Sequence, residues 1–375
     1  PRSSGHASPM GRYASHLVRH ADAATAVDVA ADHIDLELGG AAPSLVVVAA
    51  SDAFRDDADA LHEALVRRFP GALLAGAVIP GGVIGVGEEV EDLPALSVLA
   101  AVLPPGAARV AVLEDADDLP TAPVVAVFAD PFTCDADRLA ETADLAGSAL
   151  VGGFTGGWAP GGARLLAADG VHAGGAVAIA LDLPGVDVRV SQGARPIGPE
   201  LVVTAAEGNV VLELAGKPAA EQLHAMLGAL TPADLELARA GLMAGIVVDE
   251  NRPEYDVGDF LIRGLLGVAS DTGGLAIAAE PRVGQTLRFH VRDADGADAD
   301  LRRVLADVEA GAALLFACNG RGTRMFAEPH HDARVVEATL DAPLVGAFCQ
   351  GELGPVAGRN HVHAFTATVV TLPRG

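Results

Sequence analysis

Three short stretches of this 375-residue chain repeat one another: LAGAVIPGG from Leu74, LVGGFTGGW from Leu150 and LVGAFCQGE from Leu344. Each has glycine at its third position (Gly76, Gly152, Gly346) and again five residues later (Gly81, Gly157, Gly351). The context repeats as well. An apolar run and a helix-periodic segment come before each stretch, and another apolar run follows it. In the first copy these are Leu45 to Ala50, Phe54 to Phe69 and Ala95 to Leu103; in the second, Val124 to Ala129, Asp135 to Ala146 and Gly175 to Leu181. The third has Ala313 to Cys318, Ala333 to Leu340 and His363 to Leu372. Short apolar runs bounded by turn residues read as buried strands, and apolar residues three and four apart read as a helix face. The unit is β-α-β-β, so the expected class is α/β, with mixed sheets assembled from like parts. The first glycine of each copy is expected to allow close packing at the strand, and the second to allow the reversal after it.

Other segments fill in the organisation. Residues 1–13 read as a flexible arm, and Ala14 to Leu38 as one helix stopped by Gly39-Gly40. The Pro- and Gly-rich segment 183–203 reads as the connection between two domains, 14–185 and 186–375. Within the second domain, strands are expected at Asn209 to Leu214, Gly245 to Asp249, Phe260 to Gly264, Leu275 to Ala279 and Thr286 to Arg292. Helices are expected from Pro218 to about Leu230 and from Asp300 to about Ala310.

Composition narrows the function. Fifty acidic against 25 basic side chains give a formal charge of −25, which repels phosphate backbones and anionic lipid, so neither nucleic acid nor membrane is an expected partner. Half the residues are hydrophobic, enough for real cores, yet no run approaches a membrane span. The first twenty residues hold no apolar run, so no secretory leader is expected. Three scattered cysteines, Cys134, Cys318 and Cys349, suit a reducing cytoplasm better than a disulfide framework.

Candidate chemistry gathers in the third unit. Asn319-Gly320-Arg321-Gly322 follows its first strand, and Gly351-Glu352 lies at the matching turn of its second. Strand ends running into glycine-bounded polar turns are where α/β sheets place ligand contacts. Arg321 offers a planar fork for a carboxylate and Glu352 a site for an ammonium group, the two receptors an amino acid needs. Each has a plainer reading, Arg321 paired with an internal acid and Glu352 capping a turn. Glu89 and Glu91 read as solvated carboxylates. His361 and His363 share a strand face, but no third ligand makes a metal site of them, and no metal or other cofactor is expected. A nucleophile at Cys349 with His363 as base is conceivable, against the ordinary reading of buried cysteines at strand ends. Arg288, His290 and Arg292 form a basic stripe, either a salt-bridge ladder or an anion-facing wall. Arg195 and Arg263 carry the same two readings, and Trp158 stands in a turn where it could stack on a ligand or simply cover the domain junction. Three other patterns fail: no Lys-Ser/Thr follows the glycines, Asp293 to Gly296 lacks calcium-loop spacing, and no G-x-G-x-x-G opens a helix.

Gly82-Val83-Ile84-Gly85 leading to Glu88-Glu89-Val90-Glu91, with Asp130-Pro131-Phe132 and Val151-Gly152-Gly153, resembles the N-terminal FIST domain. SQGARPIG from Ser191, ELAGKPA from Glu213, LIRGLLGV from Leu261, GQTLRFHVRDA from Gly284, FACNGRG from Phe316, GELGP from Gly351 and NHVHAFTA from Asn360 are similar to the C-terminal FIST region. The resemblance implies a sensory module of signal transduction for small ligands, with amino acids proposed, and it points to His363 with Asn360 as ligand contacts. Such modules often accompany an output domain. No kinase, cyclase or F-box pattern is present here, so the signal is expected to leave through a separate signalling protein, unless the protein works as a stand-alone binder.

The reading is a cytoplasmic small-ligand sensor with candidate contacts Asn319, Arg321, Glu352, Asn360, His363, Trp158 and Arg195, no catalytic residue, and self-association left open. Two alternatives stand beside it: an enzyme using Cys349 or Glu352 with His363, and an assembly protein without a ligand.

Overall fold

The computed structural model describes residues 11–157, 159–269 and 272–375. Two elements precede the first unit, β1 (Arg12–Val18) and α1 (Ala23–Leu38). Residues 14–18, expected to begin a long helix, form a strand instead because every residue from Arg12 to Val18 finds an antiparallel partner between Leu96 and Val102. Asp22 then caps α1, accepting from the Thr25 N–H at 2.8 Å. Of the expected arm, residues 1–10 lie outside the described residues, and Arg12 and Tyr13 belong to β1.

The first unit comprises β2 (Leu45–Ser51), α2 (Ala58–Arg68), β3 (Leu73–Ile79), β4 (Val83–Gly85), β5 (Glu88–Val90) and β6 (Leu96–Val102). An edge strand β7 (Ala108–Leu113) leads to the second: β8 (Val124–Ala129), α3 (Ala136–Ala146), β9 (Ala149–Phe154), β10 (Leu165–Ala167), β11 (Gly170–His172) and β12 (Ala176–Leu181). The expected Gly-rich turn after β3 thus contains a small hairpin, and the second unit has its equivalent.

Next come β13 (Asp187–Gln192) and an inserted sheet: β14 (Ala194–Glu207), β15 (Val210–Leu214), β16 (Lys217–Pro218), α4 (Ala219–Ala229), α5 (Pro232–Ala240), β17 (Leu242–Val247), β18 (Phe260–Val268), β19 (Leu275–Ile277) and β20 (Thr286–Arg292). The third unit follows α6 (Ala294–Leu305): β21 (Ala312–Cys318), α7 (His331–Leu340), β22 (Leu344–Cys349), β23 (Glu352–Val356), β24 (Arg359–His363) and β25 (Thr366–Leu372). Segment 183–203 is therefore largely strand, not a connection. Of its prolines, Pro199 lies where the register between β14 and β20 slips, between Ile197 and Leu201, while Pro196 stays in register opposite His290. Helix α6 begins well before the expected Asp300, and α5 was not expected at all.

Each unit pairs its first two strands in parallel, β2 with β3, β8 with β9 and β21 with β22, and its last strand runs antiparallel beside the first. The hairpins, however, leave home. β4–β5 extends the third unit's sheet beside β22, β10–β11 extends the first beside β3, and β23–β24 extends the second beside β9. The exchange is cyclic. The fold class is α/β as expected, with mixed six-stranded sheets built from the repeated unit.

All three sheets turn one face to a shared core holding Val47, Ala75, Phe128, Val151, Phe316, Val345 and Cys349. Helices α1 and α2 cover the outer face of the first, α3 that of the second, and α6 with α7 that of the third. The glycine repeat follows from this packing. A Cβ on Gly76, Gly152 or Gly346 would overlap the carbonyl oxygen of Val48, Val127 or Leu315 on the adjacent parallel strand. The second glycine of the first copy serves contact between units more than reversal: Gly81 lies against the Phe348 backbone, and the positive φ of the turn falls on Gly82.

The inserted strands form a seven-stranded sheet, nearly closed by pairing of β14 with β15, around a separate core that includes Ile197, Leu214, Ala244, Leu275 and Phe289. Among the described residues no helix is long and apolar enough to cross a membrane.

Candidate ligand site

The turn after β21 is where the sequence placed its receptor pair. Cys318 and Cys349 end adjacent parallel strands in register, and the Asn319 N–H donates to the Cys349 carbonyl at 2.7 Å. Arg321 then turns inward and is wholly buried. Its Nε and Nη2 donate to the two oxygens of Asp332 at 2.6 and 2.8 Å, while Nη1 reaches the Phe365 carbonyl at 3.4 Å. Burial alone would push Asp332 up, but the guanidinium outweighs it and holds the carboxyl down at about 2. The fork of Arg321 is thus filled by an acid of its own unit.

Glu352 is equally buried. It accepts from the Thr366 N–H at 3.2 Å and the Thr366 hydroxyl at 2.8 Å, and its Oε1 has no hydrogen-bond partner among the described residues. Burial raises its carboxyl to about 8, so at neutral pH it holds its proton and offers no charge to an ammonium group. Arg321 and Glu352 do come together, one on each side of Phe365-Thr366, where Phe365 adopts a left-handed φ of 63°. Burial, then the neighbouring Glu352, raises the Cys318 thiol to about 12 and drives Cys349 well above the ordinary thiol range. Neither sulfur is a ready thiolate, and the His363 ring is bonded to the Gly354 carbonyl at 2.9 Å instead of a thiol.

The expectation of solvated carboxylates at Glu89 and Glu91 is overturned by the hairpin exchange. Glu89 is buried and accepts from the Ala333 N–H at 3.0 Å, in the first turn of α7. Glu91 accepts from the Thr323 N–H and hydroxyl at 2.8 and 3.0 Å. Carried into the third unit on β4–β5, these acids meet free N–H groups there.

The remaining candidates lie apart. Asn360 joins β24 to the second unit, its Oδ1 accepting from the Leu150 N–H at 2.7 Å and its Nδ2 donating to Asp144 and the Ser148 carbonyl at 2.7 and 2.9 Å. It borders a groove between the end of α3 and the β23–β24 turn. The equivalent groove recurs between α7 and the β4–β5 turn, so both follow from the helix-beside-hairpin plan of the repeat. Arg195 is paired with Asp293 and, at 2.7 Å, with Asp234. Trp158 lies outside the described residues. The basic stripe divides: Arg288 pairs with Glu200 at 3.2 Å, His290 is buried and pushed down to about 4, and Arg292 donates to the Gly320 carbonyl and stacks over Phe365. His361 and His363 have ring centroids 6.3 Å apart; among the described residues no group of three or more His, Cys, Asp or Glu is placed to hold a metal.

His363 leads to a different place. With Val362 and Ala364 it forms one wall of a cleft of about 660 Å³ between the inserted sheet and the repeat units. Ala136 and Asp137 at the start of α3 stand beside it; Arg263 and its neighbours on β18 form the facing wall, with Glu280, Arg282 and Gln285 in the loop after β19. A volume of this size suits a small molecule, and such sites favour junctions between structural layers. Because the His363 Nε2 bonds a carbonyl, it must carry the ring proton. Burial lowers the ring to about 4, so it is neutral and its Nδ1 is an acceptor.

Arg263 is the other unusual group. Its Nη1 donates to the carbonyls of Ile262 and Val362, both at 3.0 Å, so it already touches the strand that carries His363. It makes no ion pair among the described residues, and burial lowers its pKa, partly offset by Asp137. Sequence reasoning named Arg263 without distinguishing it from two dozen other basic residues. Asp137, Arg282 and Gln285 carried no signal, since only the docking of the insertion onto the second unit brings them together.

Compared with known proteins, residues 44–217 match the model of the FIST N domain and residues 219–355 that of the FIST C domain. An uncharacterized protein of Mycobacterium bovis is 40% identical over 372 residues, covering 93% of this chain and 95% of its own. An uncharacterized protein of Mycobacterium tuberculosis strain H37Rv is 39% identical over 374 residues, covering 93% of this chain and 96% of its own.

Proposed function

Since this chain belongs to the FIST family, whose domains are associated with signal transduction and small-ligand sensing, we propose that it is a cytoplasmic sensor for an amino acid or a similar small zwitterion or carboxylate. The observation that carries this reading is the cleft of about 660 Å³ in which His363 meets Arg263 across the junction of insertion and repeat units. A ligand there touches both bodies, so it stabilises their closed arrangement and shifts the population toward it. In this reading His363 contacts the ligand. Asn319, Arg321, Glu352 and Asn360 hold the turns and the hairpin that support it, and Arg195 ties β14 to α5 of the insertion and to Asp293 at the start of α6. The change in closure passes to a separate signalling protein.

The test is thermal unfolding of the full chain with and without a panel of amino acids and small carboxylates at millimolar concentration. Binding to the native state alone raises stability by about 2.7 kcal/mol at a hundredfold excess over Kd. A saturable shift confined to one chemical class is expected. A flat response across the panel removes the amino-acid and carboxylate reading.

A further inference from the structure

Two arginines of this protein face opposite fates. In Arg321 the Nε–Nη2 edge, the side of a guanidinium that matches a carboxylate with two parallel hydrogen bonds, is filled by Asp332. In Arg263 only Nη1 is used, on two carbonyls, and the Nε–Nη2 edge has no acceptor among the described residues. Neither Nε nor Nη2 is among the sealed, unpartnered polar atoms, and the side chain lines the cleft. In a chain with twice as many acids as bases, an inward arginine has every opportunity to find a carboxylate. Holding one without such a partner costs desolvation that the two carbonyls on Nη1 and the nearby Asp137 offset only in part.

The surroundings restrict what can fill the edge. Arg282 at the rim adds a second guanidinium, and it too makes no ion pair among the described residues; its backbone N–H donates to the Gln285 side-chain oxygen at 2.7 Å. Asp137 and Glu280 are exposed acids bordering the same space, and His363, whose Nδ1 is an acceptor and is not among the sealed, unpartnered atoms, belongs to its wall. A multiply charged anion meets repulsion from both acids and from the overall charge of −25. A single carboxylate with a positive group beside it does not.

We propose that Arg263 is the carboxylate receptor of this cleft, and that Asp137 with the His363 Nδ1 receives the ammonium group of the same small zwitterion. This assignment rests on the small-ligand reading above and gives it a place and a charge pattern. It also couples binding to architecture: Arg263 belongs to the insertion, Asp137 to the second unit and His363 to the third unit's hairpin, so one ligand joins all three.

The experiment follows the Nε–Hε resonance of Arg263 in the full chain by NMR, assigned by its loss in Arg263→Gln, during titrations with glycine, acetate and inorganic phosphate. Glycine is expected to move it saturably, acetate more weakly, and phosphate least. Arg263→Gln should weaken any zwitterion found in the thermal panel about tenfold or more, the loss of a charged bidentate contact. Arg263→Lys, which keeps the charge and loses the fork, should restore part of it. Asp137→Asn should weaken glycine and leave acetate unchanged or tighter. An Arg263 resonance unmoved by all three probes overturns the assignment, and so does a thermal shift that survives undiminished in folded Arg263→Gln. The second result would leave the small-ligand reading standing with another site; an Arg263 response to acetate and a silent amino-acid panel would do the reverse.

Discussion

At the scale of single residues, the groups that look most reactive are the most committed. Arg321 and Asp332 are both inaccessible and bonded to each other, and Glu352 keeps its proton because burial outweighs its hydrogen bonds. The last point has a direction that can be measured. Glu352 releases its proton near 4.5 when unfolded and at about 8 when folded, so between those values the native chain holds a proton the unfolded chain has lost. Its contribution is fully present below the lower value and is lost as pH rises through the upper one. Glu89, raised to about 7 by burial and by Asp332, acts in the same direction. His290 and His363, both lowered to about 4, act oppositely, favouring the native state as pH rises from about 4 to 6.5. Glu352→Gln should therefore flatten the fall in stability toward alkaline pH while keeping the acid limb. Urea unfolding of both proteins at about pH 5 and about pH 9 measures the difference. Parallel profiles would mean that Glu352 is ionised in the native state.

At the scale of elements, the exchanged hairpin is the organising device. A β-α-β-β unit with its hairpin removed leaves a sheet edge, and each edge here is covered by the hairpin of another unit. The β4–β5 hairpin also brings chemistry, because Glu89 supplies the acceptor that α7 lacks within its own unit. Its N-cap position is His330, which makes no side-chain capping bond. Glu89→Ala should cost on the order of 1 kcal/mol, the usual effect of a lost cap. The loss should be local. Amide exchange is expected to accelerate from Ala333 to Val336 and to stay unchanged in α2, which Glu89 does not touch. Uniform acceleration across both helices would show that the hairpin contributes through global stability alone.

At the scale of the whole molecule, two kinds of core coexist. The three repeat sheets share one core, so the units are expected to unfold together although the insertion separates the third from the others in sequence. The inserted sheet has its own core and leaves the repeat body where Ala194 pairs with Arg292. Paired residues in adjacent antiparallel strands lie about 5 Å apart, so a short glycine linker can span the gap left by removing residues 194–292. The shortened chain should keep the β-α-β-β body and a cooperative thermal transition at lower temperature, having lost contacts such as Gln192 to the Phe260 carbonyl. Far-UV circular dichroism and calorimetry decide the matter. A shortened chain without a cooperative transition would show that the insertion completes the body instead of resting on it.

The sequence by itself determined the unit and its number. Buried parallel strands need unbroken apolar runs, and a carbonyl packed against a neighbouring backbone admits only glycine, so Gly76, Gly152 and Gly346 mark the same position three times. Local pattern was enough for strands such as Val124–Ala129 and Thr286–Arg292, and for the small-ligand family that the motifs resemble. It failed for β1, whose Leu17 suited a helix until the edge of β6 claimed the segment, and for segment 183–203, where pairing outweighed proline and glycine. Which unit receives which hairpin, that the acids Glu89 and Glu91 meet helix and turn N–H groups, and that Arg321 pairs with Asp332 while Arg263 forms no ion pair among the described residues were decided only by the tertiary structure. The reason is physical. A residue's type fixes which partners it can satisfy, but the partner that fills a charge, or the cleft that leaves it open, is supplied by chain far away in sequence.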